Sequence, residues 1–297
     1  MHNREALHQK VGKANFDLVY DLEDPREYFN TLRKFDYCIP QHGQRLFSEL
    51  IEARREASRD GDRAKRFRVV DVCCSYGING TLLKYETTLE EMYARYGSRE
   101  LAGLSSEELA EDDAAYYGAH RREAAPEVVG LDVAQNAVSY GLLSGILDAG
   151  FAENLEEDEP TEALGGAVAG ADLLTVTGGI GYVTERTFER LLRCMVEGPD
   201  GRMPWVAAFA LRWVSYDRIS EVLSDYGLVT EKLAGCTFAQ RRFADEAERE
   251  YVLEELVKAG VDTNGKEDTG WYHANFYLSR PAKEAKTPPE ALLRRSC

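Results

Sequence analysis

Short β-branched, apolar runs alternate along the chain with stretches whose apolar residues recur every three or four positions. The first run, Phe67 to Cys73 in RFRVVDVCCSYGINGTLLKY, is too short for a helix and stops at Ser75, Tyr76 and Gly77. That pattern predicts a buried parallel strand, a turn and then a helix. A second run, Val128 to Val133, precedes the helix-like AQNAVSYGLLSGILDAG, and a short third spans Phe151 to Leu155. The fourth, Ala171 to Gly179, leads into TERTFERLLRCM, and the fifth, Pro204 to Trp213, into DRISEVLSDYG. LVTEKLAGCTFAQRRF and WYHANFYLSRP close the series, with ADEAEREYVLEELVKAG between them. Strands alternating with helices and then two closing strands predict an α/β fold. Its sheet is doubly wound and seven-stranded, mostly parallel with an antiparallel C-terminal strand.

Residues 1–65 read as an N-terminal helical cap. Leu46, Phe47, Leu50 and Ile51 mark one helix face, and YDLEDPREYFNTLRKFDYCIPQ before them is rich in tyrosine and phenylalanine. Residues 66–282 form the α/β domain. Within it a helical insertion, 86–126, separates the first helix from the second strand and sits at the C-terminal edge of the sheet, where ligands lie in open α/β folds. A moving lid and a plain decoration are both open for it. The polar tail, 283–297, is expected to be loose.

Composition narrows the partners. The chain has 297 residues and a net charge of −16, which disfavours a nucleic-acid backbone or an anionic membrane surface. The basic cluster of Arg54, Arg55, Lys65, Arg66 and Arg68 reads as a solvated face. No apolar run reaches the roughly 20 residues of a membrane span. The start, Met1 to Arg4, lacks a signal-peptide apolar region, so the chain reads as cytoplasmic. Six cysteines and five histidines are scattered, which suggests neither a disulfide framework nor a metal site. Small neutral or cationic partners suit the charge, and a homodimer is left open.

The chemistry concentrates at three strand ends. The turn after the first strand, VVDVCCSYGING, holds Asp71, Cys73, Ser75, Tyr76 and Gly77. Where such a turn closes onto a helix N-terminus, backbone N–H groups can meet a carboxylate. GLDVAQNAV places Asp132, Val133 and Asn136 at the end of the second strand, where a carboxylate needs a partner such as ribose hydroxyls or the next helix's N–H groups. DLLTVTGGIGYV places Thr177, Gly178, Gly179 and Tyr182 after the fourth.

In this order the segments resemble the class I S-adenosylmethionine-dependent methyltransferases, from about Phe67 to Pro281. The resemblance implies a Rossmann-like fold and S-adenosylmethionine as cofactor, without a metal. It implies that the first turn lies under the cofactor's amino-acid end, that Asp132 takes the ribose, and that the fourth-strand loop lies beside the reacting methyl. It also puts Asn154 and Leu155, in GFAENLEED, against adenine, with Glu153 and Glu156 as further polar candidates. The family's first motif is usually glycine-rich, whereas this turn reads Cys-Ser-Tyr-Gly. A nicotinamide site would need GxGxxG and an acid about 20 residues on; Asp132 comes 55 residues after Gly77.

A sulfonium is a cation without N–H or O–H donors, so aromatic faces and neutral oxygens suit it. Tyr182, Tyr28 and Tyr37 are the candidate catalytic residues and Tyr20 a substrate contact. Asp17 and His42 join Tyr182 as candidate bases. Arg212, beyond the fifth strand, could hold a substrate carboxylate or form a surface ion pair. The leading expectation is in-line methyl transfer to a small-molecule acceptor. A looser likeness to the azetidine-2-carboxylate synthases implies an alternative: cyclisation of S-adenosylmethionine with loss of methylthioadenosine. A non-catalytic cofactor-binding scaffold is the third reading.

Overall fold

The computed structural model describes residues 17–57, 66–198 and 201–293. Its strands are β1 (Arg68–Val72), β2 (Glu127–Asp132), β3 (Ala149–Ala152), β4 (Leu173–Val176), β5 (Trp205–Leu211), β6 (Leu228–Lys232), β7 (Phe238–Arg242) and β8 (Trp271–Pro281). They form one eight-stranded sheet in the order β3-β2-β1-β4-β5-β8-β6, with β7 also paired to β8. The first five strands are parallel, and β6, β7 and β8 pair antiparallel. This is the expected doubly wound α/β fold.

Both faces are buried because successive side chains of each strand point oppositely. Val69 joins Leu46, Phe47 and Leu50 of the long helix Ile39–Ala57, together with Phe209 and Phe276. Its neighbour Val70 joins Phe188, Leu191, Leu192 and Met195 of helix Glu185–Val196, with Leu174 and Val206. Fully buried strands of this kind require continuous apolar runs, which is the pattern seen along the chain.

The insertion carries two helices, Leu89–Tyr96 and Ser106–Ala119, each opened by a capping box. The buried Asp113 carboxylate fixes it to the sheet layer. It accepts from Tyr96 Oη at 2.6 Å, Tyr140 Oη at 2.6 Å and Arg95 Nε at 2.7 Å. Tyr140 belongs to helix Gln135–Leu143, directly after β2, so the insertion grips the domain proper.

Several expectations are corrected. The third strand is Ala149–Ala152, so Asn154 and Leu155 lie beyond it. The sixth run breaks into β6 and β7, with Gly235 left-handed (φ 74°) in the gap, which makes eight strands of the expected seven. The tail is docked as far as residue 293. Glu284 accepts from Trp205 Nε1 at 2.8 Å and pairs with Arg54, while Arg280 donates to the Thr287 carbonyl at 2.7 Å. Arg54 is therefore 1% exposed and no part of a solvated face. Cys236 is disulfide-bonded, although the scattered cysteines suggest no disulfide framework.

Asp113→Ala leaves the Tyr96 and Tyr140 hydroxyls without this acceptor, and the Arg95 guanidinium, 13% exposed, with Asp112 as its remaining carboxylate. Each buried donor left unsatisfied costs roughly 1–3 kcal/mol. A matching fall in urea-unfolding free energy is expected; a change below about 1 kcal/mol would show that solvent replaces the carboxylate.

Candidate functional site

The turn after β1 holds alternate residues in the left-handed region: Cys73 at φ 58°, Ser75 at φ 49° and Gly77 at φ 80°. Two of these are not glycine, and each such residue costs about 1–3 kcal/mol of backbone strain. The surrounding structure holds them there. Ser75 N–H donates to Asp132 Oδ2 at 2.9 Å, Cys74 N–H to the Leu131 carbonyl at 3.2 Å, and Gly77 N–H to the Cys74 carbonyl at 2.9 Å. Asp132 Oδ1 also accepts from Ala134 N–H at 3.0 Å, so one carboxylate ties the end of β2 to the turn of β1. The sequence departs from a glycine-rich motif here, yet the backbone keeps an alternation of left-handed residues, with the Cys74, Ser75 and Gly77 N–H groups taken up by the end of β2 and by the turn itself.

Below the turn, the Asp71 side chain is completely buried in β1. Its Oδ1 accepts from Asn79 Nδ2 at 3.0 Å and Thr175 Oγ1 at 2.8 Å. Its Oδ2 has no hydrogen-bond partner among the described residues, and the same holds for Ser75 Oγ, Asn79 Oδ1 and Thr177 Oγ1. Burial, with a smaller contribution from Asp132, pushes the Asp71 carboxyl up to about 6 against the two hydrogen bonds. Four buried oxygens without partners around one turn are costly unless a polar ligand meets them.

The N-terminal segment roofs this turn. Tyr28 meets Tyr20 and Tyr76 edge-on, with ring centroids at 5.3 and 5.5 Å. Tyr76 Oη donates to the Leu22 carbonyl at 2.9 Å, and Tyr93 Oη to the Tyr37 carbonyl at 2.6 Å. Asp21 caps the helix after β2, accepting from Asn136 N–H at 2.7 Å, and Arg26 reaches the Leu101 and Leu104 carbonyls of the insertion. Burial first, then neighbouring tyrosines, drives the Tyr28 and Tyr37 hydroxyls far above the ordinary phenol value. They stay protonated at neutral pH and can serve as aromatic faces and O–H donors, not as bases.

The structure brings together Asp71, Cys73, Ser75, Tyr76, Gly77, Asp132, Thr177, Gly178, Gly179, Tyr20, Tyr28 and Tyr37. Gly179 lies so close to the turn that a β-carbon there would be 2.7 Å from Cys73 Sγ. Tyr182 lies in the same loop, its N–H donating to the Gly179 carbonyl at 2.9 Å. Val133 is exposed beside Asp132.

Other candidates fall elsewhere. Leu155 is buried in the core against helix Glu185–Val196, Glu156 caps that helix through Thr184, and Glu153 is taken by Thr161. Asn154 Oδ1 is turned inward onto Glu156 N–H at 3.1 Å. Arg212, expected to meet a substrate carboxylate, spends its guanidinium on Glu267 at 2.6 Å and the Asp262 carbonyl at 2.6 Å. His42 packs on Phe238, and burial lowers its proton affinity. The Asp17 side chain lies outside the described residues. Sequence reasoning missed Asn79, which only the strand–turn–helix geometry sets against Asp71. Among the described residues, no group of three or more His, Cys, Asp or Glu is placed to hold a metal, and no helix is long and apolar enough to cross a membrane.

At Gly77 a β-carbon would sit 2.5 Å from Ile146 Cγ2 in addition to the backbone penalty. Gly77→Ala is expected to cost about 1–3 kcal/mol in denaturant unfolding. Ser75→Gly is expected to leave stability within about 1 kcal/mol, because relieved strain offsets added chain entropy. The reverse ranking would show that the left-handed turn is not held as described.

No protein-family model and no curated protein matches the sequence. Among solved structures the chain is similar to a TehB-like SAM-dependent methyltransferase from Corynebacterium glutamicum, at 15% identity and TM-score 0.38, over 80% of this chain and 88% of that one. It is similar to magnesium protoporphyrin IX methyltransferase from Synechocystis, at 12% identity and TM-score 0.36, over 80% of each chain. A third likeness is to a ribosomal protein L11 methylase from Lactobacillus delbrueckii, at 12% identity and TM-score 0.32, over 78% of this chain and 77% of that one.

Proposed function

We propose that this chain is a class I methyltransferase that moves the methyl group of S-adenosylmethionine to a small molecule. The observation that carries the reading is the set of buried, unpartnered oxygens of Asp71, Ser75 and Asn79 around a turn of alternating left-handed residues. A ligand with an ammonium on a short arm satisfies such oxygens. Asp132 accepts one N–H on each oxygen, and a carboxylate oxygen can accept more than one hydrogen bond, including one from a ribose hydroxyl. The bound cofactor supplies an electrophilic methyl carbon on a sulfonium. Tyr20, Tyr28 and Tyr37 offer aromatic faces to that cation, and the roof keeps water from the reacting carbon. Displacement at carbon needs alignment more than acid–base work, which fits a site whose tyrosines stay protonated.

One observation favours a second use of the same compound. Asp71 has an unpartnered oxygen and a carboxyl of raised proton affinity where the α-ammonium would lie. Taking that proton would free the nitrogen lone pair to form a bond to its own γ-carbon as the carbon–sulfur bond breaks. The products are a four-membered cyclic amino acid and methylthioadenosine.

Mass spectrometry after incubation with S-adenosylmethionine alone separates the two. Methyl transfer gives S-adenosylhomocysteine only when an acceptor extract is added, whereas cyclisation gives methylthioadenosine without one. Asp132→Ala is expected to weaken S-adenosylmethionine binding tenfold or more in calorimetry, from lost hydrogen bonds to a charged group of roughly 1.5–3 kcal/mol. Equal affinity in folded variant and parent would remove the ribose assignment.

The Asp71 carboxyl adds a pH dependence. Its folded value near 6 lies above its ordinary 3.8, so the folded chain holds a proton that the unfolded chain releases between those values. Stability without ligand should therefore fall as pH rises from about 4 to 6. Binding of the cationic ligand should tighten over the upper part of that window, as the carboxylate forms. Calorimetry and thermal unfolding at pH 5, 6 and 7.5 should show both trends, and Asp71→Asn should flatten them. Trends that persist in that variant would assign them to another group.

A further inference from the structure

The strand pair β7–β8 rises past the end of the parallel edge. β5 ends at Leu211 opposite Ala274, while β8 begins three residues earlier, at Trp271, opposite Arg242. A bulge between Ala239 and Arg242 interrupts this pairing, and Gln240 lies within it. The roof docks on the same strand: Cys38 N–H donates to the Gln240 carbonyl at 2.8 Å and Arg242 N–H to the Phe35 carbonyl at 2.7 Å. The Gln240 side chain is thereby held inside, 5% exposed, with Oε1 lacking any hydrogen-bond partner among the described residues. It converges with the roof over the loop after β4. A β-carbon at Gly178 would lie 3.0 Å from Gln240 Nε2 and 3.2 Å from Tyr37 Oη. Thr177, next along that loop and 7% exposed, carries the other unpartnered oxygen on this side.

The charges around this second polar group are closed off. Arg241 is paired with Glu248 at 2.7 Å and lies over the Tyr272 ring at 4.6 Å from its centroid. Arg212 is paired with Glu267 at 2.6 Å. A guanidinium already bound to a buried carboxylate does not serve an incoming anion, since pulling it away strands a charge. What lies over the loop is the Gln240 amide, a hydroxyl and aromatic rings, with the Asp71 carboxyl beyond it.

Building on the proposed methyl transfer, we propose that Gln240, with Thr177 and Tyr37, forms the acceptor subsite, and that the acceptor presents an amino group there. Its N–H groups donate to Gln240 Oε1 and Thr177 Oγ1, and the rings suit its apolar body and any positive charge. A carboxylate or phosphate in the same place would lack an opposite charge, because Arg241 and Arg212 are already paired.

The test uses the full chain saturated with sinefungin, a non-reactive cofactor analogue. It is titrated by calorimetry with primary amines of two to ten carbons and with the carboxylic acids of matching length. At least one amine should saturate and bind tenfold or more tighter than its acid counterpart. Gln240→Leu should weaken that amine tenfold or more while changing sinefungin affinity less than twofold, and Gln240→Glu should tighten it. Preference for the acids, saturation by neither series, or equal losses for amine and sinefungin would overturn the proposal. Absence of sinefungin and S-adenosylmethionine binding to the parent chain would instead sink the cofactor reading on which it rests.

Discussion

The site depends on one contact, the hydrogen bond from Ser75 N–H to the Asp132 carboxylate. It joins the ends of two adjacent parallel strands, β1 and β2, which are in register as far as Val72 and Leu131. A short serine in the left-handed region has no conformational reason to stay there, and neither has Cys73 two residues before. A charge-assisted hydrogen bond in a half-buried setting is strong enough to offset strain of this size. With the turn fixed, helix Ile78–Lys84 starts in the direction that carries Asn79 back to Asp71. The same constraint makes Gly77 a place where no side chain fits.

Most of the fold was legible because parallel strands covered on both faces leave a plain mark. Val69 and Val70 both had to be apolar, as they serve opposite layers. The strand ends carried Asp71, Ser75, Gly77, Asp132 and Thr177 in an order that pointed to one edge of the sheet. What failed were features set by partners far along the chain. Arg212 is spoken for by Glu267, in a short 3-10 turn with no periodic signature. Leu155 was set against a ligand because the third strand was drawn too late, and its burial belongs to the opposite layer. Gln240 left no trace, since it is enclosed by the roof, which docks on β7 from far along the chain at Cys38 and Phe35.

The tail and the cluster at Arg54 misled for a related reason. Charged residues are read as solvated unless a partner is in view. Arg54 and Arg280 each lie over the Trp205 ring, with centroid distances of 5.2 and 5.6 Å, and reach the tail through Glu284 and Thr287. Planar guanidiniums tolerate this burial because they stack and donate in one plane. The consequence is a far end of the sheet closed by the tail.

That distribution also bears on which nucleotide the sheet can hold. A dinucleotide places its pyrophosphate on the N–H groups of the first turn and helix. Here the Ser75 N–H is spent on Asp132, and Asp71 lies directly below with an oxygen unsatisfied. An anion of two charges would have to displace one carboxylate and approach another, each unfavourable in a buried setting. A ligand with an ammonium beside Asp71 and ribose hydroxyls beside Asp132 brings donors to both carboxylates. The nearby guanidiniums of Arg26 and Arg212 are already paired with Asp24 and Glu267, so they do not reverse the balance. An adenosyl amino acid meets these demands, and the electrostatics of two aspartates, more than the count of glycines in the turn, set that preference.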